Sequence, residues 1–188
     1  MFSLVTGVML RGVFPENDPL MDQLWEVSSK RAVLMARLAR HTAVAADRAY
    51  TVGLFQDCGA VSLANRVIDY RQTWLRTRWQ PNGPVIERRE HVTDHPTLSA
   101  LLVQHWGLPD EIAQAVRFHH EIDKLEDLSL PARTRRLVAL SVIANFVLVQ
   151  AVSQDAPLWE SALGQAATIL DVPSMVVQAW SEQASALV

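Results

Sequence analysis

The chain has 188 residues, of which 49% are hydrophobic and 20% are charged. This composition suits one globular domain with a sizeable core and excludes a disordered chain. The formal net charge of −3 gives no general attraction to nucleic acids or anionic membranes. One cysteine, Cys58, excludes an internal disulfide and favours a reducing compartment, so we expect a cytoplasmic protein. The most apolar run, from Leu137 to Val149, is shorter than the roughly 20 residues of a transmembrane helix.

Helix signals begin at Asp18-Pro19, where an acidic N-cap precedes a proline at the first helical position. This first helix is predicted to continue to about Arg40. Its apolar positions recur at spacings of three, four and seven residues: Leu20, Leu24, Val27, Leu34 and Leu38. A second helix is predicted from Asp47 into the stretch GLFQDCGA at 53–60, and Gly59 is expected to break or bend it.

The next segments also favour helices. A third helix is predicted through Leu63 and Val67 to Tyr70, and the stretch 73–89 is less regular, with a turn at 81–84. Thr93 or Asp94 is expected to cap a fourth helix.

The second half of the chain continues this pattern. A helix is predicted with Pro109 at its first position and an end near 119–120. The run 131–150 is apolar on nearly all sides, which predicts the central buried helix. Two more helices are predicted near 157–170 and 173–187. Strand signals are nearly absent, so the sequence predicts an all-α helical bundle forming a single domain over 1–188.

Four ionisable side chains occupy otherwise apolar helices: Asp57, His95, His119 and His120. Histidine and carboxylate together can bind zinc, manganese or iron, and such a metal can activate water. Taken singly, a histidine near a helix end is more typical of a cap or a polar surface group. Adjacent histidines also point about 100° apart on a helix, so both rarely bind one ion.

The order of several motifs carries more information than any one of them. Five landmarks follow one another along the chain: Leu24-Trp25, 49–59, Asp94-His95, 106–109 and His119-His120. In this order they resemble the HD superfamily and, more narrowly, the HDOD family (HD-related output domain) of bacterial signalling proteins. The resemblance implies a helical bundle of the HD/HDOD type.

The resemblance also divides the chain. It implies that 17–150 is the HD-like core and that 151–188 forms C-terminal helices. The apolar stretch 1–16 then corresponds to the last helix of an N-terminal half that is missing or shortened. An apolar helix without its usual partners predicts dimerisation or contact with another chain.

Departures from the family pattern concern the metal site. Active relatives carry a histidine on the Leu-Trp helix, a His-Asp pair, further histidines and a final aspartate around one or two metals. The corresponding positions here are Val27, Gln56 and Asn145, and Ala60 stands where a lysine is expected. The resemblance therefore implies a degenerate HD site without catalytic residues, formed by Val27, Gln56, Asp57, His95, His119, His120 and Asn145.

No metal or other cofactor is expected at this degenerate site. If a single divalent metal binds, Asp57, His95 and His120 are the predicted ligands. Otherwise we expect Asp57 to accept hydrogen bonds from His95 or His120 and from Gln56. Replacement of Asp57 by alanine is then expected to destabilise the fold by about 1–3 kcal/mol.

Two functions remain open at this point. The first is a non-catalytic regulatory module for bacterial signal transduction, which binds a signalling protein or domain or forms a homo-oligomer. The second is a weak single-metal phosphohydrolase or phosphodiesterase that acts on a nucleotide or cyclic dinucleotide. The four substitutions at the degenerate site favour the first, and no membrane partner is expected.

The segment 66–89 holds six arginines with Trp74 and Trp79 between them. Such a pattern can bind single-stranded nucleic acid or a nucleotide second messenger. Asp69 and Glu87 in the same segment, together with the acidic chain, favour a solvated helix whose arginine stems cover apolar surface. Nucleic acid is therefore not an expected partner.

Overall fold

The structure is a computed structural model that describes residues 18–152 and 157–185. Within these ranges the chain forms helices and no strand, which confirms the all-α prediction. The predicted helix at 1–16 lies outside the described residues. None of the described helices is both long enough and apolar enough to cross a bilayer.

Eleven α-helices and one 3₁₀ helix follow one another in the described ranges. They are α1 Pro19–Ala39, α2 Ala46–Phe55, α3 Cys58–Arg66, α4 Tyr70–Thr77, α5 Gly83–His91, α6 His95–His105, α7 Asp110–Phe118, the 3₁₀ helix Ile122–Leu125, α8 Ala132–Val152, α9 Pro157–Glu160, α10 Leu163–Leu170 and α11 Ser174–Ser185.

Helix α1 begins as its sequence predicts. The Asp18 side chain accepts a hydrogen bond from the Leu20 backbone N–H at 3.1 Å, and Pro19 is the first helical residue. The helix packs closely against α2 because Gly53 has no side chain. A Cβ atom at Gly53 would lie 2.8 Å from the Cα of Ala32.

Helix α8 forms the centre of the bundle, as its apolar sequence predicts. Every side chain from Leu137 to Val149 is buried, and α1, α2, α7, α10 and α11 all pack against this helix. A second, smaller core lies between α1, α3 and α4. It consists of Met21, Leu24, Ala60, Val61, Leu63, Tyr70 and Trp74.

The junction between α2 and α3 differs from the prediction. The break falls at Gln56-Asp57, whereas Gly59 lies inside α3. The Gly59 N–H donates to Ser99 Oγ at 2.8 Å, and a Cβ at Gly59 would lie 2.5 Å from the carbonyl oxygen of His95. The prediction that Gly59 breaks the helix was wrong, because this glycine instead permits close contact between α3 and α6.

The third helix also ends earlier than predicted. It stops at Arg66, Val67 is extended, and Asp69 has a left-handed backbone with φ 62° before Tyr70 begins α4. The apolar spacing predicted one continuous helix here, whereas the structure has two helices separated by this turn. The stretch 73–89 is more helical than expected, since α4 and α5 flank its predicted turn.

Later boundaries follow the prediction with small shifts. Asp94 caps α6 and accepts from the Thr97 N–H at 2.7 Å. Pro109 is the N-cap of α7 and not its first residue. The predicted helix at 157–170 is two helices, α9 and α10, with a turn between them.

Gly59→Ala should destabilise the fold by about 1–3 kcal/mol, because the added methyl group would collide with the backbone of α6. Urea unfolding followed by circular dichroism measures the change. Gly164→Ala is the matched control: nothing lies near its added Cβ, and alanine should stabilise α10 by about 0.5–1 kcal/mol. Equal effects at the two glycines would contradict the close packing of α3 on α6.

Candidate functional site

Helix ends bring four predicted site residues together. Asp57 is the N-cap of α3, His95 is the first residue of α6, and His119 and His120 directly follow α7. One nitrogen of each histidine and one Asp57 carboxylate oxygen all lie within 4.8 Å of one another. The four residues are buried, with exposed fractions between 0% and 8%. With Arg31 and Glu87, introduced below, we call them the polar centre.

Each histidine has its Nδ1 next to an oxygen. His95 Nδ1 lies 2.9 Å from Glu87, His119 Nδ1 lies 2.6 Å from the Val116 carbonyl oxygen, and His120 Nδ1 lies 3.1 Å from that of Pro81. Because these oxygens only accept, each Nδ1 carries the proton.

The other ring nitrogens of two histidines face Asp57. Nε2 of His95 lies 3.5 Å from Asp57 Oδ1, and Nε2 of His119 lies 3.3 Å from the same oxygen. Both nitrogens are buried without a well-aligned hydrogen bond. In the neutral tautomers just assigned, each of these nitrogens directs a lone pair at the Asp57 carboxylate. Because both groups are acceptors, a proton or another cation is needed between them.

Arg31 supplies a cation that sequence reasoning missed. Its Nη1 donates to Asp57 Oδ2 at 2.7 Å, and its side chain is only 3% exposed. Arg31 lies on α1 one turn beyond Val27 and two turns beyond Leu24. That spacing places Arg31 on the apolar face of the helix. The sequence therefore contained one indication that this arginine is buried.

Glu87 is the second missed residue. This fully buried carboxylate accepts from the His95 backbone N–H at 2.8 Å and from His95 Nδ1 at 2.9 Å. It stands in the charged run ERREH on α5, where the sequence gives no sign that one acid turns inward.

The electrostatics of the polar centre are consistent with this geometry. Burial alone would raise the pKa of Asp57, but the Arg31 guanidinium and the neighbouring imidazoles hold it well below its usual range. Burial opposes protonation of His95, yet Glu87 and Asp57 raise its pKa. Burial lowers the pKa of both His119 and His120. Two carboxylates, Asp57 and Glu87, therefore face the Arg31 guanidinium and His95, the one histidine of the three whose pKa is raised.

Gln56 and Asn145 form a hydrogen bond with each other, and Asp57 pairs with Arg31. Gln56 Nε2 donates to Asn145 Oδ1 at 3.3 Å. The prediction that Asp57 accepts from Gln56 was therefore wrong, because adjacent residues at a helix end point in different directions. His119, and not His120, is the histidine beside His95 whose Nε2 approaches Asp57.

Aromatic rings close the polar centre on two sides. Trp74 meets the His95 ring edge to face at 5.0 Å, and Trp159 lies 5.5 Å from the His120 ring. The gap lined by Val27, Arg31, Asp57 and Trp74 has a volume of about 10 Å³. That volume suits one water molecule.

The donor set fits one transition-metal ion. Imidazole nitrogens and a carboxylate are suitable ligands, and the Nε2 atoms of His95 and His119 are buried without an aligned partner. Glu87 lies against Nδ1 of His95, as a carboxylate does when it orients a metal-binding histidine. The set does not fit two ions, because Val27 has no donor atom and Gln56 and Asn145 offer only neutral amides.

A comparison with family models shows the family of the chain. The family model named HDOD domain matches residues 1–122. The chain belongs to the HDOD family. The resemblance inferred from the five landmarks is thereby confirmed.

Solved structures share the HDOD chain's fold. A response regulator, MmoQ from Methylococcus capsulatus, superposes with a TM-score of 0.63 at 22% identity, covering 84% of this chain and 60% of that protein. A protein of Shewanella amazonensis, which is described as a phosphohydrolase, superposes with a TM-score of 0.71 at 16% identity. The match covers 98% of this chain and 66% of that protein. At these identities the similarity concerns the fold.

One curated relative of the HDOD chain is an uncharacterized protein of Treponema pallidum. It is 24% identical over 151 residues, which cover 78% of this chain and 28% of the relative. The chain thus spans about a quarter of that relative's length.

The arginine-rich segment of the HDOD chain is largely occupied by internal contacts. Arg71 pairs with Asp18, Arg76 with Glu90, and Arg88 with Asp94. Trp74 is buried and therefore does not offer a face for stacking a base. These contacts favour the solvated-helix interpretation of the segment.

Removal of one partner of the buried Arg31–Asp57 pair should destabilise the HDOD fold by about 3–5 kcal/mol, because the other charge is left unpaired. This exceeds the 1–3 kcal/mol expected from histidine contacts alone. We expect Arg31→Met and Asp57→Asn each to be strongly destabilising, and the double variant to lose much less than their sum. Urea unfolding of all four proteins measures the coupling.

The exposed pair Arg76–Glu90 is the control for this cycle, with side chains 59% and 39% exposed. Its coupling should be far smaller, because solvent screens it. Additive losses for Arg31→Met and Asp57→Asn would show that the two side chains do not interact.

Proposed function

We propose that this HDOD chain is a non-catalytic regulatory module of bacterial signal transduction. It acts in the cytoplasm by binding another signalling protein or domain, and its polar centre stabilises the fold. The observation that carries the proposal is the Arg31 guanidinium, which occupies Asp57 Oδ2 at 2.7 Å inside the core.

Arg31 opposes catalysis through charge. Asp57 is the one carboxylate within the metal-ligand cluster, and Arg31 already neutralises it. An ion on the same carboxylate would be repelled by the guanidinium at short range and low local dielectric. The charge of Asp57 is therefore balanced by Arg31 without a metal.

The missing ligands support the same conclusion. Two-metal hydrolysis needs enough anionic ligands to hold two dications about 3.5–4 Å apart. Val27 and the amide pair of Gln56 and Asn145 supply none. Ala60 is fully buried in the smaller core, so it leaves no cation at that position to act on a substrate.

Lack of space is a third line of support. The gap beside Asp57 measures about 10 Å³, whereas ligand pockets commonly measure about 300–1,000 Å³. A phosphate ester cannot reach Asp57 without separation of the helices around it.

One observation favours the alternative, a weak single-metal phosphohydrolase. A cleft of about 290 Å³ reaches His120 and is bordered by Arg88 and Arg117. In that alternative Asp57, His95, His119 and His120 would hold one ion, which supplies a Lewis acid and an activated water. Both arginines already pair with acids, Asp94 and Glu121, so the cleft offers no free cation to a phosphate.

Metal analysis separates the two functions. Protein purified without chelator should contain manganese, iron and zinc far below one equivalent by plasma mass spectrometry. Arg31→Met should bind more added Mn²⁺ or Zn²⁺ than the wild type, because the competing cation is gone. Arg71→Met, which alters an ion pair outside the polar centre, should not. One equivalent of metal in the wild type that disappears in Asp57→Ala would refute the proposal.

Turnover gives a second measurement. With Mn²⁺ present, the wild type should hydrolyse bis(p-nitrophenyl) phosphate no faster than Asp57→Asn does. Metal-dependent hydrolysis that Asp57→Asn abolishes, while circular dichroism shows a folded variant, would establish the enzymatic alternative.

The proposed function also predicts a protein partner. Affinity capture from the source bacterium should identify it, with resin lacking the bait as control.

A further inference from the structure

A second charged cavity lies apart from the polar centre, and we call it the arginine groove. It measures about 280 Å³ and is lined by the linker at 43–45, Arg48, Glu111, Arg133, Arg136 and Leu137. The linker joins α1 to α2, Glu111 lies in the first turn of α7, and the last two arginines belong to the start of α8. The groove shares no residue with the polar centre.

The charges of the arginine groove are not balanced. Arg48 forms an ion pair with Glu111. Arg133 and Arg136 have no ion-pair or hydrogen-bond partner among the residues the structure describes. Three arginines against one glutamate leave an excess of two positive charges around one cavity.

These arginines lie at a helix end that attracts anions. Arg133 and Arg136 lie in the first two turns of α8, a helix of 21 residues, and its first turn contains no acid. Helix N-termini carry a partial positive charge that favours acids and disfavours cations. Helix α2 also begins at the groove, and its N-cap, Ala45, offers no side-chain oxygen to the free N–H groups.

The cleft near His120 provides a contrast. Its two arginines, Arg88 and Arg117, are paired with acids, and Glu121 and Asp123 also line it. The arginine groove, in comparison, has two arginines available. Their planar guanidinium groups suit two-point hydrogen bonding to phosphate oxygens.

We propose that the arginine groove binds the phosphate group of a small phosphorylated molecule. Arg133 and Arg136 contact the phosphate, and Arg48, the third arginine of the lining, adds positive charge. The partly exposed apolar surface of Val44 would contact the rest of the ligand. The volume of about 280 Å³ is slightly below the common range of about 300–1,000 Å³ for ligand pockets, so the ligand is small. The inference does not depend on the role of the polar centre.

Isothermal titration calorimetry of the full chain tests this site, with inorganic pyrophosphate as the probe at constant ionic strength. We expect saturable binding of one equivalent. Arg133→Ala and Arg136→Ala should each weaken it roughly tenfold, the effect of one charge-assisted contact. Glu111→Gln should strengthen binding, because it removes the competing carboxylate.

Arg89→Ala is the control, since Arg89 is an exposed arginine of α5 outside the groove. Its affinity for pyrophosphate should equal that of the wild type. Thermal unfolding should show that all variants are folded. Absence of binding at millimolar pyrophosphate would overturn the proposal. So would equal losses in Arg89→Ala and Arg136→Ala, which would indicate unspecific charge attraction.

Discussion

The buried ion pair between Arg31 and Asp57 is the interaction on which the rest of the polar centre depends. It joins the middle of α1 to the junction of α2 and α3. Removing two charges from water costs several kcal/mol per ion, and only close pairing offsets that cost. Asp57 therefore has one arrangement in the core, with Oδ2 towards α1 and Oδ1 towards the histidines of α6 and α7. Once this carboxylate is fixed, the helix ends that carry its neighbours are fixed with it.

The histidines are arranged as a metal site would need, although the proposed function gives them a different use. Each Nδ1 rests on an oxygen and Nε2 of His95 and His119 faces the carboxylate. The same geometry also suits a network in which His95 holds a proton between Glu87 and Asp57. The two uses differ in the cation they require, and Arg31 already supplies one. A guanidinium fixed by its own helix needs no uptake from solution, and under the proposed function Arg31 takes the place of a metal ion beside Asp57.

Much of this arrangement could be predicted from the sequence, because its parts are local. Asp18-Pro19 and Asp94 mark helix starts by their own chemistry, and the order of landmarks placed Asp57 with His95 and the His119-His120 pair. Arg31 and Glu87 could not be identified in that way. Arginine and glutamate are ordinarily solvent-exposed, and only the tertiary packing shows that these two are buried. Gly59 was misjudged for a related reason: a glycine in a helix can permit bending or close contact, and its neighbours on α6 decide between them.

A buried polar cluster need not maximise stability, because well-packed apolar side chains of similar volume are often as stable or more so. We infer that the cluster instead favours one packing of the helices over shifted alternatives. Five segments meet at the polar centre: α1, the α2–α3 junction, α5, the start of α6 and the end of α7. A shift of any one by a turn would leave Arg31, Asp57 or Glu87 buried and unpaired, which costs far more than a shift between apolar surfaces. The regulatory module proposed above would need this kind of specificity to present a fixed surface to a partner, and helix selection by the polar centre would supply it.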